Sequence, residues 1–255
     1  MDLVESDFRT ENRHPWELAR FSIVKELIEK HQFSSNARIL DVGSGDAYVA
    51  QRFTHDISNA EAFCVDIEYT PEILAKIQSI YQNNQLHLFS NLSQVANENH
   101  FDFVTLLDVI EHVPDDVALL SEISELKSID SNTHFIITVP AFQKLFSSHD
   151  DLLKHYRRYD MAMLKNSLEK SGLEFIDGGY FFTSLLGPRI IQVAKEKIKK
   201  KETSELEHLG TWNKSEKITD TIHNILMFDY KTGRFFRRLG VHIPGLSLYA
   251  VARKK

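Results

Sequence analysis

Cysteine is almost absent from this chain, and the sequence has neither a long apolar run nor a signal-peptide pattern. The one cysteine, Cys64, excludes an intrachain disulfide, and a single thiol is typical of a reducing compartment. No apolar run approaches the ~20 residues that a helix needs to span a bilayer. The first residues are acidic and do not form a signal-peptide pattern. We therefore expect a cytoplasmic protein, with peripheral membrane contact left open.

Charge is unevenly distributed along the 255 residues, whose formal net charge is −6. Residues 189–255 hold 15 Lys and Arg against 7 Asp and Glu, which leaves the first 188 residues strongly acidic. An acidic body argues against nucleic acid as a partner, whereas the basic last quarter allows a local anionic partner. The length suits one α/β domain with an insertion.

An apolar strand, a turn with two glycines and the start of a helix follow one another early in the chain. Gly43 and Gly45 let the backbone turn sharply and approach a ligand closely. A dinucleotide-binding loop would have a third glycine where this chain has Tyr48. Asp41 and Asp46 bracket the turn with negative charge, which disfavours a pyrophosphate. S-adenosylmethionine (SAM) fits better, because it has an ammonium, a sulfonium and a neutral adenosine.

A second acid lies at the spacing that nucleotide sites use. Asp66 ends the next apolar strand, 21 residues after Gly45. An acid about 20 residues after such a loop accepts ribose hydroxyl groups in βαβ nucleotide sites. The alternative role for Asp66 is that of a helix N-cap. The pairing of loop and acid favours the ribose role.

Two segments resemble the first and fourth motifs of class I SAM-dependent methyltransferases, in the type 11/12-like branch. The first is Ile39-Leu40-Asp41-Val42-Gly43-Ser44-Gly45-Asp46, with Ala47 where that family usually has a third glycine, and the second is Asp108-Val-Ile-Glu111-His112-Val-Pro114-Asp115. The resemblance implies an α/β fold: a seven-stranded Rossmann-like sheet with its last strand antiparallel. It also implies SAM as the cofactor, contacted by Asp41, Gly43, Ser44, Gly45, Asp66, Ile67, Asn91, Leu107 and Asp108.

This fold and the apolar periodicity together divide the chain into four segments. We expect an N-terminal helical cover at 1–36 and a SAM-binding Rossmann-like core at 37–182. A helical insertion or cap at 183–244 separates the sixth and seventh strands, and the final core strand occupies 245–255. An antiparallel pair of strands needs only a hairpin, so the cap is an addition to the basic fold.

The N-terminal segment resembles a leader helix that packs over the cofactor pocket in one methyltransferase branch. Pro15 predicts the first turn of a helix that runs to about Lys30. The resemblance implies that Trp16 and Arg20 close the SAM site, with Arg20 near the SAM carboxylate. A plain amphipathic helix that covers the sheet is the alternative.

Residues 141–160 follow the fifth strand and are dense in titratable and aromatic side chains. They resemble a His-Asp … Gly-His-Tyr-Arg-Arg-Tyr segment of the same branch, with Lys154 where glycine is common. His149 and His155 are the catalytic candidates, since either could act as a general base near neutral pH. His112, in the fourth motif, could be a base or could hold its loop.

Anion binding is the second role that this segment suggests. Arg157 and Arg158 could hold a phosphate or carboxylate of the substrate, with Tyr156 beside them. The alternative is a loop whose His and Arg side chains anchor backbone carbonyls. No standard metal-ligand spacing is present, so we expect no metal site.

These features predict a SAM-dependent methyltransferase that acts on a small-molecule, sugar or lipid-linked acceptor, by O-methylation of an anionic substrate. The Asn/Asp-Pro-Pro-aromatic signature of many DNA and amide methyltransferases is absent after Leu107, so a nucleic-acid substrate is not expected. A non-catalytic scaffold subunit is one alternative. Another is a peripheral membrane methyltransferase that contacts lipid through the basic amphipathic segment 185–201. An oxidoreductase is disfavoured by Tyr48 and Asp41, and the sequence leaves the oligomeric state open.

Overall fold

One seven-stranded sheet forms the centre of the computed structural model, which describes residues 13–31, 36–96, 98–198 and 212–255. The strands are β1 Arg38–Val42, β2 Glu61–Val65, β3 Leu86–Phe89, β4 Phe103–Leu107, β5 His134–Pro140, β6 Leu173–Phe181 and β7 Ser247–Lys254. Their order is β3-β2-β1-β4-β5-β7-β6. The five strands β1 to β5 are parallel to one another, and β7 is antiparallel to both of its neighbours, β5 and β6. The predicted Rossmann-like fold class is therefore confirmed.

The described helices connect and cover these strands. They are α1 Pro15–Lys30, α2 Tyr48–Asp56, α3 Pro71–Tyr81, α4 Asp116–Ser124, α5 Ser148–Leu152, α6 Met161–Lys170, α7 Thr183–Ile198 and α8 Glu216–Arg238. Side chains accept hydrogen bonds at several N-termini, including Asp115 for α4 and Asp160 for α6, which satisfies amides that have no partner inside a helix. Among the described residues, no helix is both long and apolar enough to cross a membrane.

Each face of the sheet is buried by helices. α4 and α6 cover one face with Leu120, Leu164 and other apolar residues, and β1 and β4 supply Leu40 and Val104 to that core. On the other face α1 and α8 pack over the β1–β4–β5–β7 region. Four consecutive residues of β1 are buried, and because successive side chains of a strand point to opposite faces, both faces of the sheet are covered there.

The two helices between β6 and β7, α7 and α8, pack against the rest of the protein. α8 lies along α1, where Arg234 forms an ion pair with Glu26 and Ser22 Oγ lies 3.0 Å from His223 Nε2. Leu226 and Tyr230 of α8 are buried in the same core as α1. The segment between β6 and β7 thus supplies α8 as a second helix on the sheet face that α1 covers.

Candidate functional site

The carboxyl ends of β1, β2 and β4 meet at one edge of the sheet. The strand order reverses direction between β1 and β4, and open α/β sheets bind ligands in the crevice at such a switch point. The loops after these three strands carry Gly43, Asp66 and Asp108. The topology therefore brings together the three segments that the sequence indicated.

The glycine loop after β1 is held by backbone conformation and close packing. Gly43 has φ +71°, and a Cβ there would lie 2.6 Å from Val109 Cγ2. Its amide donates to the Val65 carbonyl at 2.8 Å. Gly45 has φ +54°, and Ala47 has φ +59°, in the left-handed region that favours glycine. Ala47 thus keeps the backbone conformation for which the family usually has glycine.

Asp66 fastens this loop at the end of β2. The Gly45 amide donates to Asp66 Oδ2 at 2.8 Å, and the Glu68 amide donates to Oδ1 at 2.9 Å. Each carboxylate oxygen keeps capacity for a further hydrogen bond, as two ribose hydroxyls require. The Ile67 side chain next to it is 89% exposed and offers an apolar surface for an adenine. These two roles remain predictions.

Asp41 and Ser44 are buried below the loop. The Thr105 hydroxyl donates to Asp41 Oδ1, and Ser44 Oγ lies 2.8 Å from Tyr69 Oη. Burial raises the pKa of Asp41 to about 6, although the Thr105 hydrogen bond opposes the shift. Asn91 begins a 3-10 turn after β3 and accepts from the Ser93 hydroxyl. No described contact tests the predicted SAM contacts of these residues.

The start of α1 crosses this edge of the sheet. Arg20 is buried and forms an ion pair with Asp108, and its guanidinium stacks 4.8 Å from the centre of the Trp16 ring. Arg13, which the sequence analysis did not single out, pairs with Asp46 of the glycine loop. Both arginines lie in the N-terminal segment that resembles a leader helix, so this resemblance was the available signal.

The donor set at this edge fits SAM. Arg20 Nε is buried and has no hydrogen-bond partner among the described residues, so it can donate to the SAM carboxylate. Asp108 offers a carboxylate at the end of β4, where the Thr138 hydroxyl donates to Oδ1 at 3.0 Å. Leu107, just before it, is almost fully buried. Together with Asp66, these groups match the charged amino-acid end and the ribose of SAM.

The segment between β5 and α6 is organised by one buried carboxylate. Asp150 Oδ1 accepts from Arg158 Nε at 2.7 Å and lies 3.0 Å from His155 Nδ1. Arg189 Nη2 of α7 donates to the other oxygen at 2.9 Å. Burial opposes the ionisation of Asp150, but the His155 hydrogen bond and the two arginine charges outweigh it and hold the pKa well below its usual range.

The predicted substrate-binding side chains of this segment lie in different environments. Arg158 is buried and donates to the Ala141 carbonyl as well as to Asp150. Arg157 donates to the Pro114 carbonyl and lies 3.4 Å from Asp116. Tyr156 is 57% exposed. Anchoring of backbone carbonyls, the alternative role, is thus observed for both arginines, and substrate binding stays a prediction.

The two catalytic candidates also differ. His155 Nδ1 lies 3.0 Å from Asp150 Oδ1, whereas His149 lies at the start of α5 and makes its described hydrogen bonds through its backbone amide and carbonyl. Burial and the charge of Arg189 lower the pKa of His149, so its ring is neutral at pH 7 and able to accept a proton. Lys154, between them, has φ +57°, which explains why glycine is common at this position in the family.

Glu111 is the functional candidate that sequence reasoning missed. Its side chain is fully buried between the end of β4 and the 141–160 segment, and its backbone carbonyl accepts from the Tyr156 amide at 2.7 Å. Neither carboxylate oxygen has a partner among the described residues. Burial, followed by the nearby charge of Asp108, raises the pKa of Glu111 well above its usual value. The Asp-x-x-Glu-His pattern contained the signal, but the motif alone does not show burial.

Comparison with known proteins agrees with this geometry. The methyltransferase domain family matches residues 13–177. The ubiquinone biosynthesis O-methyltransferase of Nitrosospira multiformis is 25% identical over 138 residues, which are 49% of this chain and 57% of that protein. The Yersinia enterocolitica protein of the same name is 24% identical over 101 residues, 38% of this chain and 41% of that protein. The chain thus spans about half the length of the curated relatives it matches.

Solved structures share the fold at low sequence identity. A Galdieria sulphuraria protein described as a candidate sarcosine dimethylglycine methyltransferase has a TM-score of 0.56 at 14% identity, covering 94% of this chain and 86% of that chain. Phosphoethanolamine N-methyltransferase 2 of Haemonchus contortus, solved with SAM, has a TM-score of 0.52 at 16% identity, covering 91% of this chain and 52% of that chain.

The matched region contains the glycine loop, Asp66 and the motif after β4. The sheet of the whole chain has seven strands with the last one antiparallel, as the resemblance implied. This membership is the one that the sequence resemblance implied, and SAM is the cofactor of that family. The chain belongs to the methyltransferase domain family, within the class I SAM-dependent methyltransferases.

Proposed function

We propose that the protein transfers the methyl group of SAM to an oxygen atom of a small-molecule, sugar or lipid-linked acceptor that carries an anionic group. The observation that carries this proposal is the crevice at the carboxyl ends of β1, β2 and β4. There the Asp66 carboxylate is held by the Gly45 amide beside the exposed Ile67. The similarity to ubiquinone biosynthesis O-methyltransferases supports oxygen as the acceptor atom.

In this reaction SAM supplies an electrophilic methyl group, and the protein orders the reactants for an in-line displacement. Asp66 would hold the ribose, and Arg20 would bind the SAM carboxylate with its Nε–H, which has no hydrogen-bond partner in the described part of the chain. His149 is neutral at pH 7 and would accept the proton of an acceptor hydroxyl. The exposed Tyr156 would line the acceptor's entry.

Substitution of Asp66 tests the cofactor side. Asp66→Asn keeps one acceptor oxygen for the loop but removes the charge, so we expect about tenfold weaker SAM binding by calorimetry, equivalent to about 1.4 kcal/mol. Glu72→Gln removes a carboxylate at the exposed start of α3 and should leave SAM affinity unchanged. Equal affinity of wild type and Asp66→Asn would contradict the ribose role.

Incubation with SAM carrying an isotopically labelled methyl group tests the acceptor. The panel contains catechols and quinols, hexuronic acids, and phospholipid vesicles, and mass spectrometry locates the label. We expect label on oxygen in at least one anionic or lipophilic hydroxyl compound. Label found only on nitrogen or carbon would overturn O-methylation. Stoichiometric SAM binding without transfer to any acceptor of a host extract would favour the scaffold alternative.

A second candidate, peripheral membrane contact to reach a lipid-linked acceptor, is supported by α7. Ile190 and Ile191 are about half exposed and Ile198 is 82% exposed, on a helix that also carries Lys195 and Lys197. Apolar side chains beside lysines suit the interface of an anionic bilayer. Residues 199–201 of the predicted contact segment lie outside the described residues.

Flotation with vesicles tests this contact. We expect the protein to float with vesicles that contain phosphatidylglycerol, and Lys195→Glu with Lys197→Glu to abolish this. Lys127→Glu with Lys170→Glu makes the same charge change near α4 and α6, on the other face of the sheet, and should retain flotation. No flotation of the wild type, or equal flotation of both double variants, would contradict the proposal.

A further inference from the structure

The fully buried Glu111 carboxylate is an uncommon feature because neither of its oxygens has a partner among the described residues. Burial of an ionised carboxylate without compensation is costly. A cation bound beside the carboxylate would offset this cost. The buried arginines Arg20 and Arg158 do not supply that cation, because each already pairs with another carboxylate.

Two imidazole rings lie beside this carboxylate. His112 follows Glu111 directly, and His155 arrives from the segment after β5. Their ring centres are 4.5 Å apart at an interplanar angle of 85°. One possible ligand atom from each of the three residues lies within 4.8 Å of the others. Two elements that are distant in the chain thus place two nitrogen donors and one oxygen donor around a common point.

The surroundings of His155 orient its ring so that Nε2 can bind a metal ion. Its Nδ1 lies 3.0 Å from Asp150 Oδ1, and Asp150 is held as a carboxylate by Arg158 and Arg189. A carboxylate at Nδ1 fixes the proton on that nitrogen and leaves the lone pair on Nε2. Ligating histidines in metal sites usually have such a partner, which orients the ring and raises its basicity.

We propose that Glu111, His112 and His155 bind a divalent first-row transition-metal ion. Imidazole nitrogens combined with one carboxylate suit Zn²⁺, Fe²⁺ or Co²⁺ rather than Ca²⁺, and three protein ligands leave open positions. The site revises our expectation of no metal, which rested on sequence spacing alone: one ligand lies 43 residues from its neighbour in the site.

The position of the site suggests its use, and this part rests on the proposed function. Glu111 lies three residues after Asp108, the end of β4 that meets Arg20 at the cofactor edge. An acceptor hydroxyl bound at an open position would lose its proton more readily to the base proposed above, His149. Its oxygen would then form the new O–CH₃ bond as the S–CH₃ bond of SAM breaks, leaving neutral S-adenosylhomocysteine.

Metal binding is tested without SAM or an acceptor, so its outcome is independent of the proposed function. Metal-free full-length protein is titrated with Zn²⁺ against a chromophoric chelator, and Co²⁺ is added for its visible spectrum. We expect one ion per chain and nitrogen-containing Co²⁺ bands. Glu111→Gln, which is isosteric and uncharged, should weaken Zn²⁺ binding at least 100-fold, and His155→Gln should do the same.

His55→Gln is the matched control, because His55 is an exposed histidine outside the cluster. It should bind Zn²⁺ like the wild type, and circular dichroism verifies that each variant is folded. Should His155→Gln not fold, His112→Gln takes its place in the titration. Failure of the wild type to bind at micromolar Zn²⁺, or equal affinity of a folded Glu111→Gln, would overturn the metal site. If binding is confirmed but chelation leaves methyl transfer unchanged, the ion is not part of the reaction.

Discussion

The two sides of the crevice are stabilised by different kinds of interaction. On the cofactor side, the glycine loop rests on backbone conformation and amide hydrogen bonds, as in the contact between Gly45 and Asp66. On the side that we propose for the acceptor, the chain folds around Asp150, whose carboxylate pairs with both Arg158 and Arg189. The difference teaches that the first side depends on local geometry, whereas the second depends on charges that three separate elements supply.

Asp150→Asn should have the largest effect on this contrast. It leaves two buried arginines without their shared carboxylate, and loss of one partner of a buried pair costs about 3–5 kcal/mol. Glu174→Gln breaks the half-exposed pair with Arg253 and should cost less than ~1 kcal/mol. Urea unfolding measures both variants. Equal costs would show that the acceptor side does not depend on this buried charge.

Gly43→Ala tests the cofactor side and should have the next largest effect. The added Cβ would be strained at φ +71° and would contact the stiff Val109 side chain, so we expect a loss of about 2–4 kcal/mol together with loss of SAM binding. Gly172 has φ +78° with open space around it, so Gly172→Ala should cost only ~1 kcal/mol. If the two variants unfold at the same urea concentration, contact with Val109 is unimportant.

Asp41→Asn should have the smallest effect, and one that depends on pH. Burial raises the Asp41 pKa to about 6, above the value of an unfolded chain, so ionisation of this group opposes folding as the pH rises through that range. Asparagine keeps an oxygen for Thr105 and avoids the charge. The variant should therefore be about 2 kcal/mol more stable than wild type at pH 8 and no more stable below pH 4. A difference independent of pH would contradict this account.

Sequence reasoning reached the cofactor side because its partners are close in the chain or at a characteristic spacing. Asp66 follows the glycine loop by 21 residues, and the strand order explains why the two meet. The close approach of Gly43 to Val109 could not be predicted from the sequence, because it depends on how β4 ends next to β1. Local patterns therefore predicted the fold and the cofactor class.

The acceptor side was harder to predict, because its partners come from distant elements. Arg189 contacts Asp150 from α7, a helix whose sequence indicated only a basic amphipathic segment. Glu111 was quoted within a motif, yet only the packing of β4 against the 141–160 segment shows that its carboxylate is buried. Burial and pairing of charges are tertiary properties, and a single sequence does not contain them explicitly.

The position of β7 has a consequence for the order of folding. β6 joins the sheet only through β7, which pairs with β5 on its other side. The strand that completes the sheet is therefore separated from β5 by more than 100 residues, including α6, β6 and both cap helices. Closing such a long loop is a slow, entropically costly step. We expect the first five strands to assemble early, and the edge that carries α8 to become ordered only when β7 inserts.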